Sequence, residues 1–368
     1  MRILYLSTSN VPSRQANSIQ VMKMCEAFAQ NGHAVTLIAR QYERSQTDDP
    51  FDYYGVEKNF ELVLIRRRNV KGLGIRMLPR LYALLRRHDR RETLIYARDI
   101  YGASLALRMG FRVVYEAHAV RDSRVLHCLE AMLLKSPRLI RLVVISGALK
   151  ALYASIFTFD RDLVVCHDAA TVANGSTSET LSWPSCRNTL QIGYTGQLYP
   201  GKGAEIVIEC AKYLAEYDFH IIGGSEDDIA LWKVHATPNV YFHGFVQPGI
   251  VHEARNKCDI LLMPPQKTVL LSDGRTDIAN CMSPLKLFEY MASHRPIIAS
   301  NLPVLREVLD DSMAILVPPD DVNAWITAIK RCEDRAVREA LAERAYQAVV
   351  ERYTWKKRAE RALEGIQI

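Results

Sequence analysis

A glycine-rich turn with a lysine is the first part of this sequence whose residue types suit chemistry. Residues 196–203, GQLYPGKG, have the spacing G-x-x-x-x-G-K, follow a β-branched run and precede an amphipathic stretch. A Walker A loop needs Ser or Thr directly after that lysine to ligate magnesium, and this chain has Gly203 there. Lys202, the glycine backbone and a helix N-terminus can still hold a diphosphate without a metal. On spacing alone, a diphosphate site and a tight turn with a solvated lysine remain equal alternatives.

A second anion site is predicted at a helix start in residues 283–308, SPLKLFEYMASHRPIIASNLPVLREV. Ser283 is expected as the N-cap and Pro284 as the first helical residue, because Ser caps helices well and Pro needs no N–H there. The free N–H groups of Leu285 and its neighbours would then face an anion. Glu289, one to two turns further on, can accept hydrogen bonds from a ribose diol. The alternative is an ordinary exposed helix glutamate.

The first strand-to-helix turn, residues 7–18, contains no glycine. A dinucleotide fold needs G-x-G-x-x-G at this place so that the backbone can approach a pyrophosphate, and a nicotinamide or flavin dehydrogenase is therefore disfavoured. Asn17 and Ser18, at the end of the turn, are expected to cap the following helix. The turn itself is either a capped polar loop or one wall of a binding cleft.

Composition sets the class of protein. The 368 residues are 49% hydrophobic and 24% charged with a net charge of +6, the balance of a soluble globular protein with two domains of average size. No apolar run approaches the ~18–20 residues of a membrane span, and the N-terminus is not a secretory signal. The eight cysteines are scattered without a C-x-x-C pair, and the acidic pairs Asp227-Asp228 and Asp310-Asp311 are predicted to be loop charges. We therefore expect a cytoplasmic protein without a metal site.

Short β-branched runs alternate with amphipathic stretches along the chain, which is typical of parallel sheets with crossover helices. The pattern predicts an α/β fold with two tandem Rossmann-like domains, residues 1–170 and 189–350, that face a central cleft. Residues 171–188, rich in Ser, Thr, Asn and Pro, are predicted to be the linker, and residues 351–368 a final amphipathic helix. Since ligands bind outside the carboxyl ends of such strands, the cleft is the expected site.

The segments GYTGQLYPGKG and SPLKLFEYMASHRPIIASNLPVLREVL together resemble the family 4 glycosyltransferases, retaining enzymes of the GT-B fold. The resemblance extends along most of the chain, through NGHAVTLIAR, VVYEAHAV, VVISGALKALY and the terminal TWKKRAERAL. It implies a nucleotide-diphosphate sugar held mainly by the C-terminal domain and a glycan or lipid-linked acceptor held mainly by the N-terminal one. It further implies retention of anomeric configuration without a metal or other cofactor, and a final helix that packs back on the first domain.

The resemblance also implies roles for residues that match the family's motifs. Lys202 neutralises the diphosphate, Glu289 binds the ribose as the second glutamate of the Glu-x7-Glu motif, and His118 contacts the donor sugar near the reacting centre. Taken alone, a histidine at a strand end is more often a hydrogen-bonded structural residue. The other site residues are assigned to the donor (Gly196, Gln197, Ser283, Pro284 and Leu285) and to the acceptor side (Asn17, Ser18 and Arg98).

Two positions depart from the family pattern. Gln197 stands where the family usually has an arginine five residues before the lysine, so a single cation must do more of the phosphate neutralisation. Cys281 stands in place of the first glutamate of the motif, which normally touches the sugar, and Asp277 or Asn280 are alternatives for that contact. This departure leaves a non-catalytic nucleotide-sugar-binding protein as an alternative. A sugar-nucleotide epimerase of similar fold is a further alternative, although its acid and base carboxylates cannot be assigned.

Residues 66–91 hold ten Lys or Arg and one acid, Asp89, with apolar residues interleaved. Such a basic amphipathic stretch predicts docking on an anionic membrane surface, with a lipid-diphosphate-linked sugar as acceptor. The alternatives are a solvated basic face or a site for a soluble anionic acceptor. Nucleic acid is not expected, since the stretch lacks a known binding signature and has little aromatic interleaving. We expect a role in surface polysaccharide or glycoconjugate synthesis, with a peripheral location on the inner face of the plasma membrane.

Overall fold

The computed structural model describes residues 1–42, 49–67, 77–120, 123–172, 183–184, 189–269 and 277–367. The chain divides into two compact units, which we call unit 1 (Met1–Asp168 with Trp355–Ile368) and unit 2 (Ala169–Thr354). Most of the predicted linker, and residues 68–76 of the basic stretch, lie outside the described residues. In the described part of the chain, no helix is long and apolar enough to cross a membrane.

Unit 1 is built on a parallel sheet of seven strands with the order β3-β2-β1-β4-β5-β6-β7. Its strands are β1 (Arg2–Asn10), β2 (Ala34–Tyr42), β3 (Glu61–Arg67), β4 (Thr93–Ala97), β5 (Arg112–Ala117), β6 (Leu139–Val144) and β7 (Asp162–Val165). Its described helices are α1 (Ala16–Gln30), α2 (Pro50–Tyr54), α3 (Leu78–Leu85), α4 (Ile100–Arg108), α5 (Arg124–Leu134), α6 (Gly147–Ile156) and α14 (Trp355–Leu363). The chain order of the strands reverses direction between β1 and β4, so loops at the carboxyl ends of these two strands flank a topological switch point.

Unit 2 has a parallel sheet of six strands with the order β10-β9-β8-β11-β12-β13, and its switch point lies between β8 and β11. Its strands are β8 (Gln191–Thr195), β9 (Asp218–Ile222), β10 (Val240–Gly244), β11 (Ile260–Met263), β12 (Ile297–Ser300) and β13 (Ala314–Val317). Its described helices are α7 (Ala204–Tyr213), α8 (Glu226–Lys233), α9 (Val251–Asn256), α10 (Leu285–Ala292), α11 (Pro303–Arg306), α12 (Val322–Arg331) and α13 (Arg335–Arg352).

Both sheets are buried on both faces, which explains why their central strands read as apolar runs. In unit 2, Leu261 and Met263 of β11 pack in one core cluster with α10 and α13, while Ile260 and Leu262 pack in another with α7 and α12. Alternate residues of one strand therefore serve opposite faces of the sheet. The runs predicted as strands all form strands. Only β7 was missed, because this edge strand is four residues long and only partly buried.

The last helix, α14, belongs to unit 1, where it packs against α1. Its inward residues Trp355, Ala359 and Leu363 are buried. The guanidinium of Arg141, on β6, donates to the carbonyl oxygens of Ala362 at 3.1 Å and of Glu364 at 2.8 Å. A cation at these last carbonyls satisfies groups that have no partner within the helix and complements the helix dipole.

Two predicted helix starts are wrong by one or two residues. Helix α1 begins at Ala16 after Gln15, so Asn17 and Ser18 lie inside its first turn and do not cap it. Helix α10 begins at Leu285 after Pro284, whose ψ of 121° is extended, so Ser283 is not the N-cap. In both cases the backbone enters the helix through a residue whose side chain caps nothing.

Candidate functional site

The glycine-rich turn of unit 2 joins β8 to α7 at the switch point of its sheet. Gly201 and Gly203 have φ of +86° and +91°, which favours glycine. A Cβ on Gly201 would lie 2.2 Å from the Thr268 carbonyl oxygen, and one on Gly203 would lie 2.0 Å from that of Pro264. Glycine is therefore required at positions 201 and 203 by the close approach of the loop after β11, as well as by the conformation of the turn.

The carbonyl oxygens of this turn are held inside unit 2. The Tyr194 hydroxyl lies within hydrogen-bond distance of two carbonyl oxygens, that of Gln197 at 2.7 Å and that of Lys202 at 3.2 Å, and can donate to either. The Trp232 indole N–H donates to Leu198 at 2.8 Å, and the Gln266 N–H donates to Gly201 at 3.0 Å. These carbonyl oxygens are therefore occupied by donors of unit 2, while Lys202 brings positive charge to the same turn. A phosphate requires a site of that polarity.

Lys202 is partly buried on this turn, with its Nζ 5.2 Å from the centre of the Tyr199 ring. Among the described residues, no carboxylate forms an ion pair with it. Burial lowers the pKa of Lys202 to about 8. A buried ammonium without a counter-ion is costly, and a bound anion would remove that cost.

Helix α10 is tied to the end of β8, directly before the glycine turn. The Thr195 N–H donates to the Tyr290 hydroxyl at 2.7 Å, and both residues are buried. The side chain of Lys286, in the first turn of α10, lies beside Gly196. The helix start, which has no side-chain cap, and the glycine turn thus belong to one site. The sequence predicted both anion sites separately, and unit 2 brings them together.

Glu289 lies one turn further along α10, with its side chain one quarter exposed. The Arg255 guanidinium, on α9, lies 3.2 Å from a Glu289 carboxylate oxygen and fixes its orientation. The Glu289 carboxylate is therefore held by one buried cation and retains an exposed side, as a group that receives a diol needs.

Among the residues that the structure describes near the missing motif glutamate, Asp277 has one carboxylate oxygen held by its own loop. Asp277 Oδ1 accepts from the backbone N–H groups of Val269 and Ala279, both at 2.9 Å, and so shapes its own loop. Asn280 is exposed, and Cys281 is partly buried with its pKa raised, first by burial and then by Asp277. Of the two alternatives for the sugar contact, Asp277 thus has one oxygen bonded to backbone, and both Asp277 and Asn280 have exposed side chains.

In unit 1, Glu116 is a fully buried carboxylate near the end of β5. The Arg358 guanidinium, on α14, donates to both of its oxygens at 3.0 and 3.1 Å. The Gln20 amide donates at 2.6 Å, and the Tyr96 hydroxyl also donates to it. Burial alone would raise the pKa of Glu116, but Arg358 and the hydrogen bond from His118 hold it well below its ordinary value. The Glu116 carboxylate is therefore a buried anion near the end of β5.

His118 follows β5, and both of its ring nitrogens are engaged. Nε2 lies 2.7 Å from Glu116, which can only accept, and Nδ1 lies 3.2 Å from Arg98, which can only donate. The proton is consequently on Nε2. The pKa of His118 is lowered to about 4, first by burial and then by Arg98, so the imidazole is neutral at pH 7. Contact of Nδ1 with a sugar hydroxyl would require Arg98 to release it.

The three residues assigned to the acceptor side lie at the switch point of unit 1, and they differ in availability. Arg98 donates to the Asn17 carbonyl at 3.2 Å and to Gln20 at 2.7 Å. The Asn17 side-chain oxygen is buried without a hydrogen-bond partner in the described part of the chain. The Ser18 hydroxyl, in contrast, bonds the carbonyl oxygens of Ser13 at 3.0 Å and Gln15 at 2.6 Å. Ser18 therefore shapes the turn, whereas Asn17 has a buried acceptor without a donor in the described part of the chain.

Several site residues were missed from the sequence. Glu116 and Lys286 carried a usable signal, since each is a charged residue between apolar neighbours. Arg358 and Arg255 carried none, because their partners lie 242 and 34 residues away along the chain.

Among the residues that the structure describes, no group of three His, Cys, Asp or Glu side chains is placed to hold a metal.

In the described part of the basic stretch, several apolar side chains are buried, so the exposed surface is less amphipathic than the sequence predicts. Met77, Leu81 and Leu85 are buried in unit 1, while Tyr82 is 49% exposed. The cations around it are exposed: Arg80, Arg86, Arg87, Arg90 and Arg91. The apolar residues of α3 thus serve the core of unit 1, and the surface offers mainly positive charge.

Solved structures with the same architecture establish the fold. Sucrose-phosphate synthase from Thermosynechococcus elongatus is 16% identical with a TM-score of 0.72, covering 97% of this chain and 96% of its own. Anabaena HepE in complex with UDP-glucose is 15% identical with a TM-score of 0.71, covering 99% and 98%. Trehalose-6-phosphate synthase OtsA is 11% identical with a TM-score of 0.72 over the full length of both chains. At these identities the similarity establishes the fold, which is GT-B, as predicted.

Sequence comparisons establish the family. A model described as Glycosyltransferase Family 4 matches residues 18–171, and one described as Glycosyl transferases group 1 matches residues 189–334. Since the two matches follow one another and cover most of both units, the chain belongs to the family 4 glycosyltransferases. A curated relative, the putative teichuronic acid biosynthesis glycosyltransferase TuaH of Bacillus subtilis (strain 168), is 25% identical over 119 residues. That match spans 32% of this chain and 28% of the relative.

Proposed function

We propose that this protein is a retaining, metal-independent glycosyltransferase that moves a sugar from a nucleotide-diphosphate sugar to a glycan or lipid-linked acceptor. The observation that carries the proposal is the glycine turn of unit 2. Its carbonyl oxygens are bonded by Tyr194, Trp232 and Gln266, and Lys202 stands on it without a carboxylate partner among the described residues. A preorganised positive site of this kind stabilises the charge that develops on a departing diphosphate.

The donor is assigned to unit 2. Gly196, Gln197 and Lys202 receive the diphosphate together with the first-turn N–H groups of α10, and Glu289, oriented by Arg255, accepts from the ribose diol. The Anabaena relative of this fold was solved with UDP-glucose and with UDP, which supports a nucleotide-sugar donor. Ser283 and Pro284 shape the approach to the helix start.

The acceptor is assigned to unit 1, where Arg98 and the unpartnered side-chain oxygen of Asn17, which is buried, can orient a hydroxyl. In the proposed step the acceptor oxygen forms a bond to the anomeric carbon on the face from which the diphosphate departs. The bond between that carbon and the diphosphate oxygen breaks, and the hydroxyl proton passes to the departing oxygen. His118, neutral and held by Glu116, contacts the sugar without taking part as a base. This route needs no enzyme carboxylate as nucleophile.

We further propose that the product is a bacterial-type surface polysaccharide or glycoconjugate made in the cytoplasm at the membrane surface. The TuaH relative, by its name a putative enzyme of teichuronic acid biosynthesis, supports this class of product. The exposed arginines of α3 and the segment after it suit electrostatic docking on anionic lipid. Co-sedimentation with vesicles containing phosphatidylglycerol, compared with neutral vesicles, tests the docking. Replacement of Arg86 and Arg87 by Glu should abolish it.

Nucleotide binding is the first test. Thermal shift is measured with UDP, GDP, ADP and dTDP, with magnesium and with EDTA. A nucleotide at ~100 times its Kd should stabilise the protein by about 2.7 kcal/mol. One nucleotide is expected to do so equally in EDTA, and the shift should disappear in Lys202→Ala and Glu289→Ala. Lys212→Ala, an exposed lysine of α7 paired with Glu209, should keep the shift.

Turnover then separates the alternatives. A transferase releases nucleoside diphosphate from the matching nucleotide sugar when an acceptor is present, and NMR of the product reads the anomeric configuration. An epimerase would convert the nucleotide sugar without release, and a non-catalytic member, as Cys281 would permit, would bind and do neither. The absence of a shift with every nucleotide would overturn the proposal.

A further inference from the structure

Lys286 is a buried cation without a hydrogen-bonding partner in the described part of unit 2. It lies in the first turn of α10, and its Nζ is buried with no hydrogen bond. The Nζ stands over the ring of Tyr194, 4.1 Å from its centre. The carboxylates of Glu289 and Glu205 act on it through space, and among the described residues neither forms an ion pair with it. An ammonium in this position costs free energy in the unliganded protein.

A second lysine makes the position more costly still. The pKa of Lys286 lies well below its ordinary value, first because of burial and then because of the charge on Lys202. Two lysines that repel one another at a glycine turn are stabilised together by one anion with charge on two centres. A diphosphate has that charge distribution, whereas a carboxylate or a sugar hydroxyl does not.

The backbone leaves room for such an anion beside Lys286. Gly196 has no side chain, and a Cβ at its position would lie 3.5 Å from the Lys286 Nζ. Its φ of +143° also disfavours any other residue. Gln197, directly after it, is the position at which the family usually has an arginine. The lysine from α10 therefore reaches the same part of the turn that the absent arginine would serve.

We propose that Lys286 is a diphosphate-binding residue of the donor site and replaces the cation that position 197 lacks. The inference rests on the proposed function and extends it, since it assigns two lysines, from the turn and from α10, to one diphosphate. The alternative is a structural lysine kept for its contact with the Tyr194 ring, which would be worth about 0.5–2 kcal/mol to the free protein.

Calorimetric titration of Lys286→Met separates these roles. The probes are UDP, GDP, ADP and dTDP, each with its nucleoside, and the matched control is Lys212→Met. Affinity for the nucleoside diphosphate should fall at least about tenfold, while affinity for the nucleoside is unchanged. The melting temperature of the free variant should equal or exceed that of the wild type, because a buried unpaired charge has been removed. Adding Gln197→Arg to Lys286→Met should restore much of the diphosphate affinity.

Three results would overturn the inference: unchanged diphosphate affinity, an equal loss for nucleoside and diphosphate, or a lower melting temperature of the free variant. Lys286→Gln, polar and neutral, takes the place of Lys286→Met if that protein does not fold, and the same outcomes apply to it. If the wild type binds none of the four nucleotides, the proposed function itself fails and this inference with it. If the wild type binds and the variant binds equally, only the assignment of Lys286 fails.

Discussion

At the scale of single residues, both units bury charged groups, and the groups of the two units differ in their partners. Glu116 of unit 1 is surrounded by donors, with Arg358 on both of its oxygens. Lys202 and Lys286 of unit 2 have no such partner in the described part of the chain. A buried charge that is fully satisfied belongs to the fold, whereas one that is not is the better candidate for a ligand.

Removing Arg358 should destabilise unit 1 strongly. Arg358→Met leaves the Glu116 carboxylate buried without its cation, and such changes cost about 3–5 kcal/mol. Urea unfolding measures the loss, and Arg361→Met, an exposed arginine on the same helix, should stay within about 0.5 kcal/mol of the wild type. Glu116→Gln added to Arg358→Met should recover part of the loss. A cost below 1 kcal/mol for Arg358→Met would contradict this account of Glu116.

Acid should weaken unit 2 through a pair of histidines. His220 Nδ1 lies 2.9 Å from His243 Nε2, and the Trp183 ring stacks on both. Burial lowers the pKa of His220 to about 3, with a further lowering by His243, and burial lowers that of His243 to about 4. The unfolded chain, with a histidine pKa near 6.5, takes up protons first, so stability falls as the pH drops from about 6.5 towards 4.

The check is the slope of the unfolding free energy against pH over that window. His243→Gln should make the slope shallower, because one proton-accepting difference between the folded and unfolded states is gone. His235→Gln, an exposed histidine, should leave the slope unchanged. Parallel slopes for His243→Gln and the wild type would show that the pair does not titrate as described.

At the scale of elements, the glycine turn between β8 and α7 and the first turn of α10 form one site because Tyr290 joins them. The Tyr290 hydroxyl accepts from Thr195 at the end of β8, so the start of α10 is held where the glycine turn begins. The close approach of Gly203 to Pro264 holds the other end of the turn against the loop after β11. The shape of the site thus depends on β8, β11 and α10 together.

Gly203→Ala should be more harmful than the same change at a glycine with equal backbone geometry and free space. A left-handed conformation alone costs an alanine about 1–2 kcal/mol. At Gly203 a Cβ would also lie 2.0 Å from the Pro264 carbonyl oxygen, whereas at Gly32, with φ of +83°, nothing lies within 4 Å. Denaturant unfolding should show a clearly larger loss for Gly203→Ala, with loss of nucleotide binding in that variant only. Equal losses at both positions would mean that the turn relaxes freely.

At the scale of the whole molecule, unit 1 is discontinuous in the chain and unit 2 is inserted within it. Helix α14 closes unit 1 by covering α1, by supplying Arg358 to Glu116 and by receiving hydrogen bonds from Arg141. The N-terminal segment therefore cannot complete its own core before the last residues of the chain are present.

Deletion of residues 355–368 should separate the stabilities of the two units. Calorimetry should show that the unfolding transition of unit 1 shifts to much lower temperature or is lost, while that of unit 2 persists. Deletion of residues 366–368 alone keeps α14 and should leave both transitions near their original temperatures. A uniform downward shift of both transitions in the longer deletion would contradict the independence of unit 2.

The amino-acid sequence determined those features that depend on neighbours along the chain. Apolar runs of strand length predicted all but one of the strands, because strands that are buried on both faces of a parallel sheet have nearly continuous apolar sequences. The glycine turn was recognisable because Gly201 and Gly203 adopt a conformation that other residues avoid. The family resemblance was confirmed for the same reason, since its motifs are local.

Only the tertiary structure decided which distant groups meet. Arg358 and Glu116 are 242 residues apart in the sequence, and Arg255 and Glu289 are 34 residues apart. No local sequence pattern predicts either pair. Helix starts also moved by one or two residues, since Gln15 and Pro284 can lead into a helix without a capping side chain. Lys286 is the clearest case. Gln197 stands where the family usually has an arginine, and the packing of α10 against the end of β8 brings the Lys286 side chain beside Gly196.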